Sequence, residues 1–542
     1  MKRSGKIQGK EAYFRLLLLL CLLICTAMVI IAIFRGTSYT FHSDDATAVL
    51  LAREQLETGT LIPAEWYYGS EYWILSLNLL VIPFLKLTGQ MLLSRELAVV
   101  LQLLLAEGIF YCFIKKVAEG KWAILGTVLM IAPLSSLQME HFYFQATYMT
   151  MIALGFLVLS LTFEFFKKGW GKRKIFLGGG MSVLILALGC GGVRTLGTVL
   201  LPMCGGIAWA VISDKAFDVK RIVKEKEFLI KMFVLGAACI GSYLACLALN
   251  TLGQTQKEQE MLLCDSSKFI ENLSLFVTSF FQTYGCFEAK TLMSSSGING
   301  FLKLLVAVFC GIIVPVTLTV RFKRLKDGQR VFLGYSLLSS LVIFYMMVFC
   351  DLVNSYYYLP VYANNVVLTC IFIEHFGEKI YRPLMVGGFI VVALLSSLFY
   401  AKHNYSLTNK WAGFDTVDQG LLNFLRKEGL EYGYAEYFNS LSYTILSNGE
   451  VEILSVENDI TWSEEEQKMM VCLTDPGHVK KWLNSQRWYE EEYHQGESFV
   501  LTRTEFIDLL KPEYIERADR VLSYEDWAIL VYPYSLSHWS WE

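Results

Sequence analysis

Charged residues are scarce in this chain, and several common functional motifs are missing. Asp, Glu, Lys and Arg make up 18% of the 542 residues, whereas hydrophobic residues make up 54%. A soluble chain of this length would carry more charge, so the composition argues against an ordinary water-soluble enzyme. P-loops, dinucleotide-binding glycine motifs and nucleic-acid motifs are absent from every loop expected on the inner side of a membrane. The 13 cysteines show no C-x-x-C or His/Cys spacing typical of a metal site.

Long apolar runs are present instead, mostly before residue 401. Each is near the length that a helix needs to cross a bilayer core. The first follows a basic start, is too long for a typical signal peptide and has no small-residue cleavage site after it, so we predict a retained helix. We predict an α-helical polytopic membrane protein with about eleven transmembrane helices, at residues 14–34, 96–114, 121–137, 147–166, 175–191, 195–212, 228–250, 301–320, 331–350, 357–375 and 384–400.

The distribution of Lys and Arg predicts the orientation of these helices, because cytoplasmic loops are enriched in both residues. Four basic loops are placed inside, together with the N-terminus: residues 115–121, 167–174, 215–226 and 321–330. Two segments without Lys or Arg are placed outside: residues 138–146 and 351–356. With eleven crossings the C-terminus is then outside.

Two longer segments, residues 35–95 and 251–300, are also placed outside. The first contains an apolar stretch at residues 72–89 that holds Asn, Pro and Lys. A crossing there would put the basic loop 115–121 outside, so we predict a juxtamembrane helix on the outer face. A true crossing with an inverted charge pattern is the alternative. The second contains an amphipathic stretch at residues 269–284 that could also lie on the membrane surface.

The tail of the chain, residues 402–542, differs in charge from residues 1–401. It holds 25 acidic and 12 basic residues, against 25 and 35 in the longer part, which predicts a domain boundary. Helical periodicity at residues 418–430 is followed by a strand-like pattern at 432–438, a second helix and a strand at 451–456. This alternation is typical of a small α/β domain. We therefore predict a transmembrane module followed by an extracytoplasmic α/β domain.

An acidic pair, Asp44 and Asp45, follows the first predicted helix on its outer side. Two carboxylates near a membrane surface can activate a hydroxyl or hold a divalent cation. The pair also precedes a helical-looking sequence, and acidic residues favour a helix N-terminus. The two interpretations are equally supported and compatible, since one Asp can cap while the other reacts. If a metal binds, its candidate ligands are Asp44, Asp45 and Glu140.

Three further places could take part in chemistry. Glu140 and His141, in a short outer segment, could approach the acidic pair, although solvation at the interface is their more ordinary role. Arg194, beside glycines at the predicted outer surface, could bind a phosphate with two hydrogen bonds or extend its side chain to water. The sequence SYYYLP, residues 355–360, includes Tyr357 and begins a predicted helix; an aromatic belt at the interface is its ordinary role.

The order of these features resembles the start of the glycosyltransferase C superfamily. An N-in helix is followed by SDDATAVLLAREQLETGTLIP (43–63), YYGSEYWILSLNLLVIPFLKLTG (67–89) and RELAVVLQLLLAEGIFYCFIKKVAEGK (95–121). In the protein O-mannosyltransferase-like and aminoarabinose-transferase-like branches, the first helix is followed by an acidic pair. A juxtamembrane helix rich in Tyr and Trp comes next, and the second helix begins with an Arg-Glu-Leu-like sequence. SYYYLP resembles the aromatic start of a late helix in that superfamily.

This sequence departs from the family pattern at two places. The Lys-Pro-Pro common before the juxtamembrane helix is Tyr68-Gly69-Ser70-Glu71 here, and the late Arg-Tyr is Tyr357-Tyr358. Donor contacts made by the family residues are therefore not carried over to this chain.

The resemblance implies transfer of a sugar from a polyprenyl-phosphate donor to an extracytoplasmic glycan, lipid or protein, with inversion. No cofactor is certain, although a divalent metal is compatible with the family. Asp44 or Asp45 is the expected base, and the compact loops suggest a multi-pass protein of a bacterial plasma membrane. The residues expected to bind substrate or phosphate are Arg194, Glu140, His141 and Tyr357.

The sequence is also compatible with two other classes of protein. A transporter or lipid flippase would have paired ionisable groups within the membrane or inverted repeats. Only Glu107, inside the predicted crossing at residues 96–114, favours it, and an interhelical hydrogen bond is the more ordinary role of such a residue. A membrane scaffold whose tail binds a partner would tolerate loss of Asp44 and Asp45.

Overall fold

The computed structural model is a bundle of long helices followed by a small mixed sheet. It describes residues 2–69, 72, 74–167, 169, 171–212, 226–252, 263–286, 293–350, 354–376, 382–402, 419–463 and 468–536. The long helices end at Lys402, and the six strands of the described residues lie between Tyr432 and Tyr532.

The apolar runs form helices because a helix pairs its backbone groups internally, as a membrane interior requires. The longer helices before the sheet are Lys2–Thr40, Ser43–Thr58, Leu77–Thr88, Met91–Val117, Gly120–Ile131, Thr147–Phe166, Lys172–Gly189, Leu201–Ile212, Lys226–Leu252, Phe269–Thr283, Ser295–Val308, Asp327–Phe349, Leu359–Phe376 and Arg382–Lys402. Short helical segments are Ser136–Gln138, Gly192–Thr195 and Val314–Val320, with π-helical turns at Met139–Phe144, Leu196–Leu200 and Phe309–Ile313.

In the described part of the chain, fewer than eleven helices are long and apolar enough for a crossing, and the number of crossings itself stays a prediction. Among the described residues, 8 helices are long and apolar enough to cross a membrane, or up to 9 if a bent pair counts as one span. The bent pair replaces the crossing predicted at 121–137: the helix ends at Ile131, before Pro133, and the chain turns by 91° into Ser136–Phe144. A proline restricts the residue before it and lacks an N–H, which favours such a break.

Two other predicted crossings are helices that do not meet the same criterion. Lys172–Gly189 begins with three basic residues, and Leu196–Ile212 is short. The helix Leu77–Thr88 has 12 residues, a length of about 18 Å at 1.5 Å per residue. That is well below the roughly 30 Å of a bilayer core. A short helix is therefore present where the sequence predicts a juxtamembrane helix. Its position on the outer face stays a prediction.

The C-terminal part forms the α/β unit that the sequence predicts. Its strands are β1 Tyr432–Glu436, β2 Glu452–Ser463, β3 Lys468–Val479, β4 Ser498–Arg503, β5 Arg520–Tyr524 and β6 Trp527–Tyr532. Their order in the sheet is β3-β2-β1-β4-β6-β5. Strand β1 is parallel to both β2 and β4, and the remaining pairs are antiparallel. The helices of this unit are Gln419–Glu428, Leu441–Leu446 and Pro512–Glu516. The boundary at residue 401 and the outer location of this unit remain predictions.

The helix Ser43–Thr58 joins the sheet unit to the helical bundle. Glu54, fully buried on this helix, accepts hydrogen bonds from the Ser485 hydroxyl at 3.1 Å and the Trp488 indole N–H at 3.2 Å. Its neighbour Arg53 donates to the Glu452 carboxylate at 2.7 Å. A buried carboxylate needs such donors, so these contacts fix the C-terminal unit against the N-terminal end of the bundle.

Candidate active site

Asp44 lies in the first turn of the helix Ser43–Thr58, with a half-buried side chain. Its Oδ1 accepts a hydrogen bond of 2.7 Å from the Tyr437 hydroxyl, which belongs to the C-terminal unit. Its Oδ2 lies 3.5 Å from Nε2 of Gln145, a long contact. One oxygen of this carboxylate is therefore well held, and the other is only loosely engaged.

Asp45 points to a different side of the same helix and is buried. Its Oδ2 accepts from the backbone N–H of His42 at 3.3 Å and lies 3.7 Å from His42 Nε2. Burial raises the pKa of Asp45 to about 6, although the charges of His42 and Arg95 oppose that rise. For His42, burial lowers the pKa, but Asp45 and Glu140 outweigh it and raise the pKa to about 9. Asp45 thus caps the helix and forms a buried ion pair with His42.

Glu140 and His141 lie on the π-helical turn Met139–Phe144. The Glu140 carboxylate is 3.8 Å from His42 Nε2 and 4.0 Å from His141 Nε2. His141 Nδ1 shares a hydrogen bond of 2.7 Å with Oε1 of Gln145. Since the amide of Gln145 also reaches Asp44, the turn lies next to the acidic pair, which is one of the two arrangements that the sequence leaves open.

Arg194 lies over two aromatic rings. Its guanidinium carbon is 5.6 Å from the centre of the Tyr148 ring and 5.6 Å from that of Tyr357. Both distances are within the range of a cation–π contact. Tyr357 is itself buried, so its ring offers the guanidinium a fixed contact.

Two cavities share the Arg194 side chain. One, of about 740 Å³ including its open mouth, is lined by Asp44, Gly69, His141, Gln145, Thr147, Tyr148, Arg194, Tyr356, Trp482 and Leu483. The other, of about 550 Å³ including its open mouth, has a lining of mixed polarity: Tyr72, Leu75, Ser76, Thr147, Tyr148, Thr150, Met151, Leu154, Ala187, Leu188, Gly191, Arg194 and Thr195. Tyr148 and Thr147 also belong to both. The structure therefore brings Asp44, His141 and Arg194 to one cavity, whereas Asp45, Glu140 and Tyr357 are not among the residues that line it.

Residues of the C-terminal unit that sequence reasoning missed also line this site. Trp482 lies against Gly69, where an added Cβ would come within 2.9 Å of the indole ring. Leu483 adopts a φ of 52°, unusual for a residue with a branched side chain, and its backbone N–H bonds to Tyr67 at 2.8 Å. Nothing in the sequence around Tyr437 or Trp482 indicates contact with residues almost 400 positions earlier. Gln145 could have been noticed, because it follows His141 at helical spacing.

Arg95 explains how the acidic pair and the π-helical turn are kept together. Its side chain is fully buried and donates to the backbone carbonyl of Asp45 at 3.3 Å and to that of Phe144. The guanidinium also lies 5.1 Å from the centre of the Phe41 ring. Arg95 opens the Arg-Glu-Leu sequence that contributes to the family resemblance, and here it has a structural role.

The donor set does not fit a metal ion. No group of three or more His, Cys, Asp or Glu side chains in the described ranges is arranged to hold one. The carboxylate of Asp45 forms its contacts with His42. Asp44 is the member of the acidic pair that lines the cavity.

Comparisons with known proteins address the fold. No family model matches the chain, and no curated protein matches its sequence. Among solved structures, ArnT from Cupriavidus metallidurans in the apo state is similar with a TM-score of 0.55 and 10% identity, over 94% of this chain and 97% of that chain. The same protein bound to undecaprenyl phosphate gives a TM-score of 0.50 over the same shares, also at 10% identity.

A second similar structure is the oligosaccharyltransferase of Archaeoglobus fulgidus in complex with Zn and sulfate. It matches with a TM-score of 0.50 and 10% identity, over 90% of this chain and 68% of that chain. The protein is thus a multi-helix membrane protein with the fold shared by these two solved structures. At such low identity the likeness concerns the fold, and it confirms the resemblance that the sequence suggests.

Proposed function

We propose that this protein is a membrane glycosyltransferase that moves a sugar from a polyprenyl-phosphate donor to an acceptor hydroxyl, with inversion. The observation that supports this most directly is the shared position of Asp44 and Arg194 on one cavity wall. A carboxylate and a guanidinium facing the same space match the two needs of the reaction, a base and a partner for the leaving phosphate. The similar folds named above are consistent with it.

Arg194 is the proposed phosphate partner. A guanidinium offers several N–H donors in a planar arrangement that suits phosphate oxygens. Tyr148 and Tyr357 lie within cation–π distance of the guanidinium, and the Arg194 side chain lines the same cavity as Asp44. As the bond between the sugar and the phosphate breaks, negative charge grows on the phosphate, and a fixed cation stabilises that charge.

The second cavity suits the apolar part of such a donor. Its lining contains Arg194 and, beside several polar residues, the apolar side chains of Met151, Leu154, Ala187 and Leu188. A phosphate at Arg194 would then direct its polyprenyl chain between two helices of the bundle. The sugar would extend into the cavity that contains Asp44.

Asp44 is the proposed general base. A carboxylate can accept the proton of an acceptor hydroxyl as that hydroxyl attacks the anomeric carbon. Within the described residues, it is the one carboxylate that lines the cavity. A single base that activates the acceptor, opposite a leaving phosphate, corresponds to direct displacement and hence to inversion. Asp45 would then support the helix start rather than react.

The predicted topology places this chemistry on the outer face of a plasma membrane. The basic loops are expected inside, and the acidic C-terminal unit is expected outside. A glycan, lipid or protein of the cell envelope would then be the acceptor. Glu107 does not favour the transporter alternative, because it accepts an interhelical hydrogen bond of 2.7 Å from the Thr26 hydroxyl.

The test is turnover of a panel of polyprenyl-phosphate sugars by the full chain in liposomes, measured as release of polyprenyl phosphate. We expect release by the wild type, and a fall of about 1,000-fold in Asp44→Asn, because the substitution removes the base and keeps the shape. The exposed Asp508 of the C-terminal unit gives a matched control, Asp508→Asn, which should keep full activity. Undiminished turnover in Asp44→Asn with intact folding would contradict the assignment.

A further inference from the structure

The C-terminal unit contacts the carboxylate of Asp44 through the side chain of Tyr437. Strand β1 ends at Glu436, and the chain then makes one 3-10 turn, Tyr437–Asn439. The Tyr437 ring is buried, with 3% of its surface exposed, and its hydroxyl donates to Asp44 Oδ1 at 2.7 Å. The backbone carbonyl of the same residue accepts a hydrogen bond from the Ser43 hydroxyl. Tyr437 therefore contacts the first two residues of the helix Ser43–Thr58.

Tyr437 is itself held firmly in place. The Ser440 hydroxyl donates to its carbonyl at 2.7 Å. The buried Glu436 carboxylate accepts from the backbone N–H of Phe438 at 2.6 Å and from the Asn439 amide, which fixes the turn. Burial raises the pKa of Glu436 to about 7, although these donors oppose the rise. A residue with so many local contacts can orient another group with little loss of conformational freedom.

The Tyr437 contact makes the two oxygens of Asp44 unequal. Oδ1 accepts a short hydrogen bond from a phenol, whereas the contact of Oδ2 among the residues that the structure describes is the long 3.5 Å one with Gln145. A proton arriving from the cavity would therefore be accepted at Oδ2. Fixing one oxygen also fixes the rotation of the carboxylate, and a base must lie within hydrogen-bond reach of the proton that it removes.

We propose that Tyr437 is a positioning residue for Asp44, so that the C-terminal unit is part of the catalytic site. The inference rests on the proposed function of Asp44 as base. In the reaction, the acceptor hydroxyl gives its proton to Asp44 Oδ2 as its oxygen bonds to the anomeric carbon. The bond between that carbon and the phosphate oxygen breaks, and the phosphate leaves with the electron pair. Tyr437 keeps its own proton throughout and touches neither substrate.

The experiment compares steady-state kinetics of the full chain in liposomes for the wild type, Tyr437→Phe and a matched control. We expect Tyr437→Phe to lower kcat about 10-fold, the effect of losing one hydrogen bond to a charged group. The KM of the donor should stay unchanged, because the donor does not contact Tyr437. The control is Tyr532→Phe, which removes a buried hydroxyl of the same unit that donates to the Tyr514 carbonyl at 2.8 Å. It should keep the wild-type kcat.

A third variant separates orientation from packing. Tyr437→His keeps an N–H donor and should recover part of the kcat that Tyr437→Phe loses, with equal thermal unfolding midpoints.

If the wild type turns over, Asp44→Asn is inactive and Tyr437→Phe keeps the wild-type kcat, the inference about Tyr437 is wrong and the proposed function stands. Equal losses in Tyr437→Phe and Tyr532→Phe would also overturn the inference, because they would indicate a general effect on the unit. Absence of turnover by the wild type would overturn both proposals.

Discussion

Asp44 and Asp45 are neighbours in the chain, yet their carboxylates lie in different environments. Successive residues of a helix are rotated by about 100° around its axis, so one side chain faces the cavity and the next faces the interior. Asp44 meets Tyr437 and Gln145, and Asp45 meets His42. The two roles that the sequence leaves open for the pair, helix cap and reactive carboxylate, are compatible with this division.

Arg194 is the second residue on which the proposed reaction depends. We expect Arg194→Gln to lower kcat/KM for the donor roughly 100-fold, because the leaving phosphate loses its cation. Arg194→Lys should lose less, roughly 10-fold, since it keeps the charge but not the planar set of donors. Release of polyprenyl phosphate from each variant measures this. The exposed Arg173, replaced by Gln, is the matched control and should behave as the wild type. Equal activity of Arg194→Gln and Arg173→Gln would remove Arg194 from the site.

At the scale of elements, the site depends on where a helix begins and where another turns. The helix Ser43–Thr58 and the π-helical turn Met139–Phe144 are linked by Arg95, which donates to a carbonyl of each. After the turn, Ala146 has a φ of 62° and its carbonyl accepts from the Gln102 amide at 2.7 Å. An alanine in the left-handed region is strained, and neighbouring contacts must hold it there.

The start of the helix Ser43–Thr58 should make the stability of the protein depend on pH. The folded pKa of His42, about 9, lies above its ordinary value of 6.5. Protonation of His42 therefore stabilises the fold fully below pH 6.5, and this contribution is lost as the pH rises from 6.5 to 9. The pKa of Asp45, about 6, lies below this pH range, so its titration contributes little to the change in stability between pH 6.5 and 9.

Thermal unfolding in detergent at pH 6, 7.5 and 9 measures this effect. The unfolding midpoint of the wild type should fall across the series, and that of His42→Gln should not show the same fall. His494→Gln, which changes a histidine stacked on Tyr432 in the C-terminal unit, is the control and should keep the wild-type dependence. The same slope in wild type and His42→Gln would contradict the assignment.

At the scale of the whole molecule, the candidate site lies where the helical bundle meets the C-terminal unit. Asp44 and Arg194 come from the bundle, whereas Tyr437 and Trp482 come from the C-terminal unit. The position of the unit depends on Glu54, whose buried carboxylate has its donors on the other side of the interface. Catalysis should therefore be sensitive to changes at this interface, away from the cavity.

We expect Glu54→Ala to loosen the docking of the C-terminal unit, because Ser485, Trp488 and Arg487 lose their common acceptor. Leaving the buried donors of Ser485 and Trp488 without an acceptor costs about 1–3 kcal/mol each, whereas Arg487 is partly exposed and keeps its ion pair with Glu57. Hydrogen exchange around residues 480–489 should rise and kcat should fall, while the helices of the bundle stay protected. Glu513→Ala, at an exposed position of the same unit, should change neither. Wild-type exchange and kcat in Glu54→Ala would show that the unit is held by other contacts.

The sequence by itself determined the class of the protein and much of its layout. Runs of apolar residues predict membrane helices because hydrocarbon offers no partner to the backbone, and eight of the eleven predicted crossings coincide with helices of sufficient length and hydropathy. Alternating periodicity in the tail likewise predicted its α/β structure. These features depend on residues close together in the chain, so a local pattern is enough to recognise them.

The tertiary structure alone decided which of the candidate residues meet. Asp44 and Arg194 are 150 positions apart, and Tyr437 is almost 400 positions beyond Asp44, so no local pattern links them. The break before Pro133 turns a predicted crossing into the segment that presents His141 and Gln145 to the cavity. Such proximity arises from packing of whole elements, through buried side chains such as Arg95 and Glu54. Their partners are backbone carbonyls and distant side chains, which composition and periodicity do not reveal.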